Sequence, residues 1–129
     1  MSMKRYVHPI SIADTGLSQG DTGKAFFGRM HQIGWAPTVS DTGASLLIVL
    51  CPVDGDTAGG FTVLNDEDAL GSSFLYQPTI RQVQSDGFDT GIAGEGRVPV
   101  MGAGDHYRIK VTAAAAPVAG KLYIWIDED

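Results

Sequence analysis

His106-Tyr107-Arg108-Ile109-Lys110-Val111-Thr112 alternates polar and apolar residues without a break. In an extended chain successive side chains point to opposite faces, so Tyr107, Ile109 and Val111 share one face and the polar residues share the other. The alternation predicts a strand over residues 106–112, half buried and half solvated. The pattern returns in Lys121-Leu122-Tyr123-Ile124-Trp125-Ile126-Asp127, where Leu122, Ile124 and Ile126 form the inner row. Tyr123 and Trp125 then make an outward aromatic stripe, to be covered by another subunit or by a neighbouring strand or loop.

Strand signals continue upstream. Residues 5–12 read as an edge strand or arm, because Pro9 removes a ladder donor. A Gly-rich loop is expected over residues 14–23, then a strand over 25–35 in which Gly28 and Gly34 suggest bulges or a bend. Residues 45–51 are almost continuously apolar and predict a strand buried on both faces. Shorter strands are expected over 61–64, 73–77, 79–84 and 98–101. No long segment keeps a helical apolar period free of Gly and Pro; one short turn within 66–75 is the best helical candidate. Ala113 to Ala116 precede Pro117, which favours a loop. The expectation is an all-β, single-domain antiparallel β-sandwich, jelly-roll-like, with about eight short strands and Gly-rich loops. Residues 1–12 form its N-terminal arm or edge strand and residues 13–129 its sandwich.

Composition agrees with one domain. The chain has 129 residues, 43% apolar, with 17 Gly and 6 Pro, which suits a folded, turn-rich protein. A net charge of −6 with scattered Lys and Arg argues against nucleic acid as the main partner. No apolar run approaches the length of a membrane span, and the N-terminus lacks a signal-peptide core. The single cysteine, Cys51, excludes an internal disulfide and reads as a small buried hydrophobe.

Asp-Thr-Gly occurs four times, beginning at Asp14, Asp21, Asp41 and Asp89. The third copy, Asp41-Thr42-Gly43-Ala44, leads into the apolar run and resembles the active-site loop of a retroviral-type aspartic protease, which would have to act as a homodimer sharing a proton across its axis. The bracing segment such enzymes carry late in the chain has no match: Val100-Met101-Gly102-Ala103-Gly104-Asp105 lacks the required Arg. Asp followed by a small residue and Gly is also good turn chemistry, and the irregular spacing of the copies favours four corners. Asp54-Gly55-Asp56 lacks the later donors of a calcium loop, and residues 91–96 lack the strand and helix of a phosphate loop. His8, His31 and His106 fall in three different strands without metal-ligand spacing. The acidic runs at residues 66–68 and 127–129 read as a solvated turn and tail. No catalytic residue, metal site or cofactor is expected from these motifs.

The order of features resembles the head decoration, or cement, proteins of tailed bacteriophages. The chain opens with Lys4-Arg5-Tyr6-Val7 and a Gly-rich loop. A strand runs from Gly28 to Pro37, and Asp41-Thr42-Gly43-Ala44 leads an apolar strand. An aromatic-bearing strand ends at Pro78, and a Gly-rich stretch leads to Val98-Pro99-Val100. Gly104-Asp105, Arg108-Ile109-Lys110-Val111 and Gly120-Lys121-Leu122-Tyr123-Ile124-Trp125-Ile126 close the chain. The turns at residues 54–60 and 86–91 are longer than the resemblance calls for. It implies a non-enzymatic virion protein, made in the host bacterial cytoplasm, that binds the outside of an assembled capsid and reinforces it. Its partner would be the major capsid protein, and it would act as a homotrimer or dimer, without nucleic acid or membrane. On that reading the arm carries Lys4, Arg5 and Tyr6 to an acidic capsid surface, and Tyr123, Trp125, Phe26 and Phe27 form the subunit interface. A tail or fibre module binding carbohydrate through Trp35 or Trp125 is the other non-enzymatic alternative.

Overall fold

The computed structural model describes residues 2–13, 16–39, 43–51, 60–66, 69–81, 97–114 and 117–128. Among them are nine strands: β1 (Ser2–Ile12), β2 (Ser18–Thr22), β3 (Phe26–Val39), β4 (Ser45–Cys51), β5 (Phe61–Asp66), β6 (Phe74–Tyr76), β7 (Thr79–Arg81), β8 (Arg97–Thr112) and β9 (Val118–Glu128). One 3-10 turn, Ala69–Gly71, falls in the segment where the sequence allowed one. Every pairing is antiparallel.

The pairings form one continuous nine-stranded network that folds into two four-stranded layers, β1-β9-β3-β6 and β2-β8-β4-β5, with β7 paired to the start of β8. This is the strand order of a jelly roll, the all-β, single-domain fold read from the sequence. The sheets are joined through β8. Its Val100–Asp105 half pairs with β3, and its His106–Thr112 half pairs with β2 and β4. One core cluster draws on both sheets: Leu122, Ile124 and Ile126 from β9, Ile33 from β3, Leu46 and Ile48 from β4, and Tyr107, Ile109 and Val111 from β8. The two alternating segments that decide the fold therefore point at each other across the sandwich.

The structure corrects several boundaries. Residues 98–101 and 106–112 are one sixteen-residue strand, not two. The glycines between them mark a bend, with Gly104 at φ 85°. The expected loop over 14–23 contains β2, whose Ser-Gln-Gly-Asp-Thr sequence has no apolar face to betray it. β3 runs past Pro37 to Val39, and a ladder irregularity between Pro37 and Val39 accommodates the missing donor. β4 is buried on one face only: Leu46, Ile48 and Leu50 are inside, while Leu47 and Val49 are half-exposed. Asp127 and Glu128 belong to β9 and are not a solvated tail.

A bulge between Phe26 and Phe27 marks the start of β3. Gly28, beside it, has φ +137° and lies so close to β9 that a Cβ would stand 2.0 Å from the Asp127 carbonyl oxygen. Only glycine satisfies both the backbone angle and the approach.

Candidate binding face

The register of the first sheet sets the composition of its outer face. Val7 lies opposite Tyr123, Tyr123 opposite Gly34, and Gly34 opposite Leu75, forming one row across four strands. A second row runs Arg5, Trp125, Gln32, and a third runs Met3, Asp127, Arg29, Met101. Directly paired residues share a face, so these rows form one surface. Of the eight exposed large hydrophobics among the described residues, Met3, Val7, Phe27, Leu75 and Met101 project from it. That concentration is what distinguishes an interaction surface from scattered exposed apolar residues.

Its centre is aromatic. Tyr123 and Trp125 stack with ring centroids 5.7 Å apart and planes at 28°. The Arg5 guanidinium lies 5.4 Å from the Tyr123 centroid, within cation–π range. Beside the pair, Gly34, Ala36, Ser73, Leu75, Tyr123 and Trp125 line an open groove of about 460 Å³. Gly34 keeps its floor low: a Cβ there would meet the Trp125 ring at 2.9 Å and a Leu75 methyl at 3.0 Å.

The residues singled out in the sequence divide across this architecture. Tyr123, Trp125 and Phe27 are on the outer face. Phe26 is 2% exposed and belongs to the core, where its ring packs at 6.4 Å from Tyr107. Adjacent strand residues cannot both face solvent here, so Phe26 is withdrawn from any interface. The same alternation splits Lys4-Arg5-Tyr6. Arg5 points to the aromatic face, whereas Lys4 and Tyr6 reach Glu128 on the other side of β1. The Tyr6 hydroxyl donates to Glu128 Oε1, and Lys4 Nζ lies 3.1 Å from Oε2. The Tyr6 hydrogen bond, aided by Lys4, holds the Glu128 carboxyl below its ordinary range. Glu128 in turn pushes the Tyr6 phenol up to about 12. β1 pairs with β9 from Ser2 to Ile12, so any outward reach by residues 1–11 would have to break that ladder.

A second cluster stitches β1 to β2, the facing edges of the two sheets. His8 is buried on the inner side of β1. Its Nδ1 lies 2.7 Å from Asp21 Oδ2 and its Nε2 lies 2.6 Å from the Tyr107 hydroxyl. The carboxylate can only accept, so Nδ1 carries a proton, and in neutral His8 the Nε2 accepts from Tyr107. The His8 hydrogen bond holds the Asp21 carboxyl below its ordinary value; burial pushes the Tyr107 phenol up. Next to it, Gln19 Nε2 donates to the Pro9 carbonyl and the Ser11 N–H donates to Gln19 Oε1. That side-chain amide replaces a neighbouring strand on the open edge of β1. Pro9 O and Ser11 N point away from β9, so the missing Pro9 N–H costs no ladder bond. Tyr107 is 1% exposed, which withholds its hydroxyl from any solute; the cluster is a seam rather than a reaction centre. In the sequence His8 reads as an ordinary strand histidine; only the pairing of distant strands joins it to Asp21 and Tyr107.

Asp21-Thr22-Gly23 ends a strand instead of turning a corner, and its carboxylate serves the seam. Gly16, at φ 77°, and Gly43 do lie in turns. Asp14, Asp41 and the copy at residues 89–91 lie outside the described residues, as do Asp54 to Gly59 and residues 91–96. His31 accepts from the Arg29 guanidinium at 3.0 Å. His8, His31 and His106 are not brought together, and no group of three or more metal-ligating side chains forms among the described residues. No helix there is long and apolar enough to cross a membrane.

No protein-family model matches the chain, and no curated protein matches it. The chain aligns with part of the solved structure of infectious bursal disease virus Gt strain, at a TM-score of 0.36 and 13% sequence identity. The alignment covers 98% of this chain and spans 31% of the length of that one.

Proposed function

We propose that this chain is a non-enzymatic structural protein of a tailed-phage virion, a decoration protein that binds the outer surface of the capsid and stabilises it. The observation that carries the reading is the outer face of β1-β9-β3-β6. A jelly roll, stitched along β1 and β2, presents a face on which five of the eight exposed large hydrophobics among the described residues gather around a stacked Tyr123–Trp125 pair. The titratable cluster of His8, Asp21 and Tyr107 is spent on the seam. A surface rich in aromatic and aliphatic side chains with a few cations has the composition of an interface core.

In this reading the aromatic face is the contact between copies in a homo-oligomer, a trimer by the sequence resemblance, with Tyr123 and Trp125 at its centre and Phe27 towards the start of β3. Arg5 stands at its β1 margin, where it can reach the major capsid protein beneath. Oligomers contacting a repeating shell gain avidity far beyond one contact. The test is to mix the purified protein with phage capsid shells that lack it and to sediment the mixture. Saturable co-sedimentation at micromolar concentration supports the proposal; protein left wholly in the supernatant rejects it.

A further inference from the structure

The outer face of the second sheet has a different character from the first. Three consecutive outward positions of β8 are His106, Arg108 and Lys110. Val49 lies opposite Arg108 and Leu47 opposite Lys110, so two cations and two aliphatic side chains form a four-residue block. The block surrounds a hollow of about 220 Å³. Arg108 is half-buried and spends its Nε–H on Cys51 Sγ, 3.1 Å away. Neither Arg108 nor Lys110 has an ion-pair partner among the described residues. On a chain of net charge −6, this face carries cations and no described carboxylate. A guanidinium partly withdrawn from water without a counter-charge gains more from a carboxylate than a fully solvated one would.

We propose that this block is a docking site for an extended acidic segment of another protein, one that carries carboxylates at alternate positions. The spacing selects that partner. Arg108 and Lys110 are two residues apart on a strand, about 6.8 Å, which is the separation of alternate side chains in a bound extended peptide. Two carboxylates on one face of such a peptide can then meet the two cations, with their methylene stems lying over Leu47 and Val49. Nucleic acid is the poorer fit, since two or three cations on an acidic chain neutralise few phosphates. The inference stands on β8 and does not depend on capsid binding, which the test leaves out.

The test is fluorescence anisotropy with a labelled peptide of alternating glutamate and leucine, read against the same peptide with glutamine for glutamate and against single-stranded oligothymidylate. The site predicts saturable binding of the glutamate peptide that weakens with added salt. Lys110→Glu, at an exposed position, should weaken it about fivefold, and Arg108→Gln with Lys110→Glu tenfold or more, as expected for losing and reversing solvent-facing pairs. Lys121→Glu, on the first sheet, should leave it unchanged. Equal affinity for the glutamine peptide, tighter binding of the oligonucleotide, or wild-type affinity in a folded Lys110→Glu protein would each overturn the assignment.

Discussion

Tyr107→Phe removes one oxygen from the centre of the fold and leaves the ring in place. The ring packs at 6.4 Å from Phe26 and 5.5 Å from His8, and both contacts survive the substitution. What is lost is the hydroxyl at 2.6 Å from His8 Nε2, the partner of a nitrogen that the fold shields from water. Leaving a buried polar atom unpaired costs about 1–3 kcal/mol. For a domain of this size each kcal/mol lowers Tm by about 4 °C, so the variant should melt roughly 4–12 °C below the wild type. Urea unfolding followed by tryptophan fluorescence gives the free energy, and circular dichroism gives Tm. Tyr123→Phe is the matched control: its hydroxyl has no partner among the described residues, and its loss should stay within about 0.5 kcal/mol. Combining Tyr107→Phe with Asp21→Asn measures the coupling through His8, expected above about 0.5 kcal/mol for one hydrogen-bonded network. A Tyr107→Phe protein as stable as the Tyr123→Phe control would refute the claim that the seam holds β1 against the second sheet.

Three further predictions concern contacts of β9 and of the seam. The Tyr6 phenol is raised in the folded chain from 10.0 to about 12, so the stability it contributes is complete below pH 10 and is lost as pH rises towards 12; the difference between wild type and Tyr6→Phe in urea should shrink over that interval. The Glu128 and Asp21 carboxyls are depressed in the folded state, so their contribution is present above about pH 4 and lost below it; Glu128→Gln and Asp21→Asn should each flatten the acid limb of the stability profile. Gly28→Ala should cost roughly 2–4 kcal/mol in urea unfolding, because it adds backbone strain to the collision with Asp127.

The two alternating segments at 106–112 and 121–127 read correctly from sequence because each buries a single face, which leaves a period of two in the residues themselves. β2 was illegible for the opposite reason. Its inward side chains are Gln19 and Asp21, whose partners Pro9, Ser11 and His8 lie ten or so positions away on another strand, and nothing apolar marks the face. β8 read as two strands because Gly102 and Gly104 resemble a break, whereas in the fold they bend a single strand from one sheet to the other. Tyr123 and Trp125 were recognisable as an outward stripe from their own strand alone. Their companions Val7, Gly34 and Leu75 come from three other strands, and only the register assembles them into a groove. Phe26 and Phe27 show the limit of composition: two adjacent aromatics of the same type have opposite fates, decided by which one the bulge turns inward.

The proposed capsid role rests on the outer face of β1-β9-β3-β6. Leu75 is 67% exposed beside Trp125, so Leu75→Glu places a charge on that face without disturbing the core. Phe61→Glu, at the 57% exposed start of β5, places the same charge away from it. Co-sedimentation of wild type, Leu75→Glu and Phe61→Glu with capsid shells decides the matter most directly. Phe61→Glu should pellet with the shells at the wild-type ratio while Leu75→Glu, still folded, remains in the supernatant. Leu75→Glu pelleting as well as wild type would contradict it.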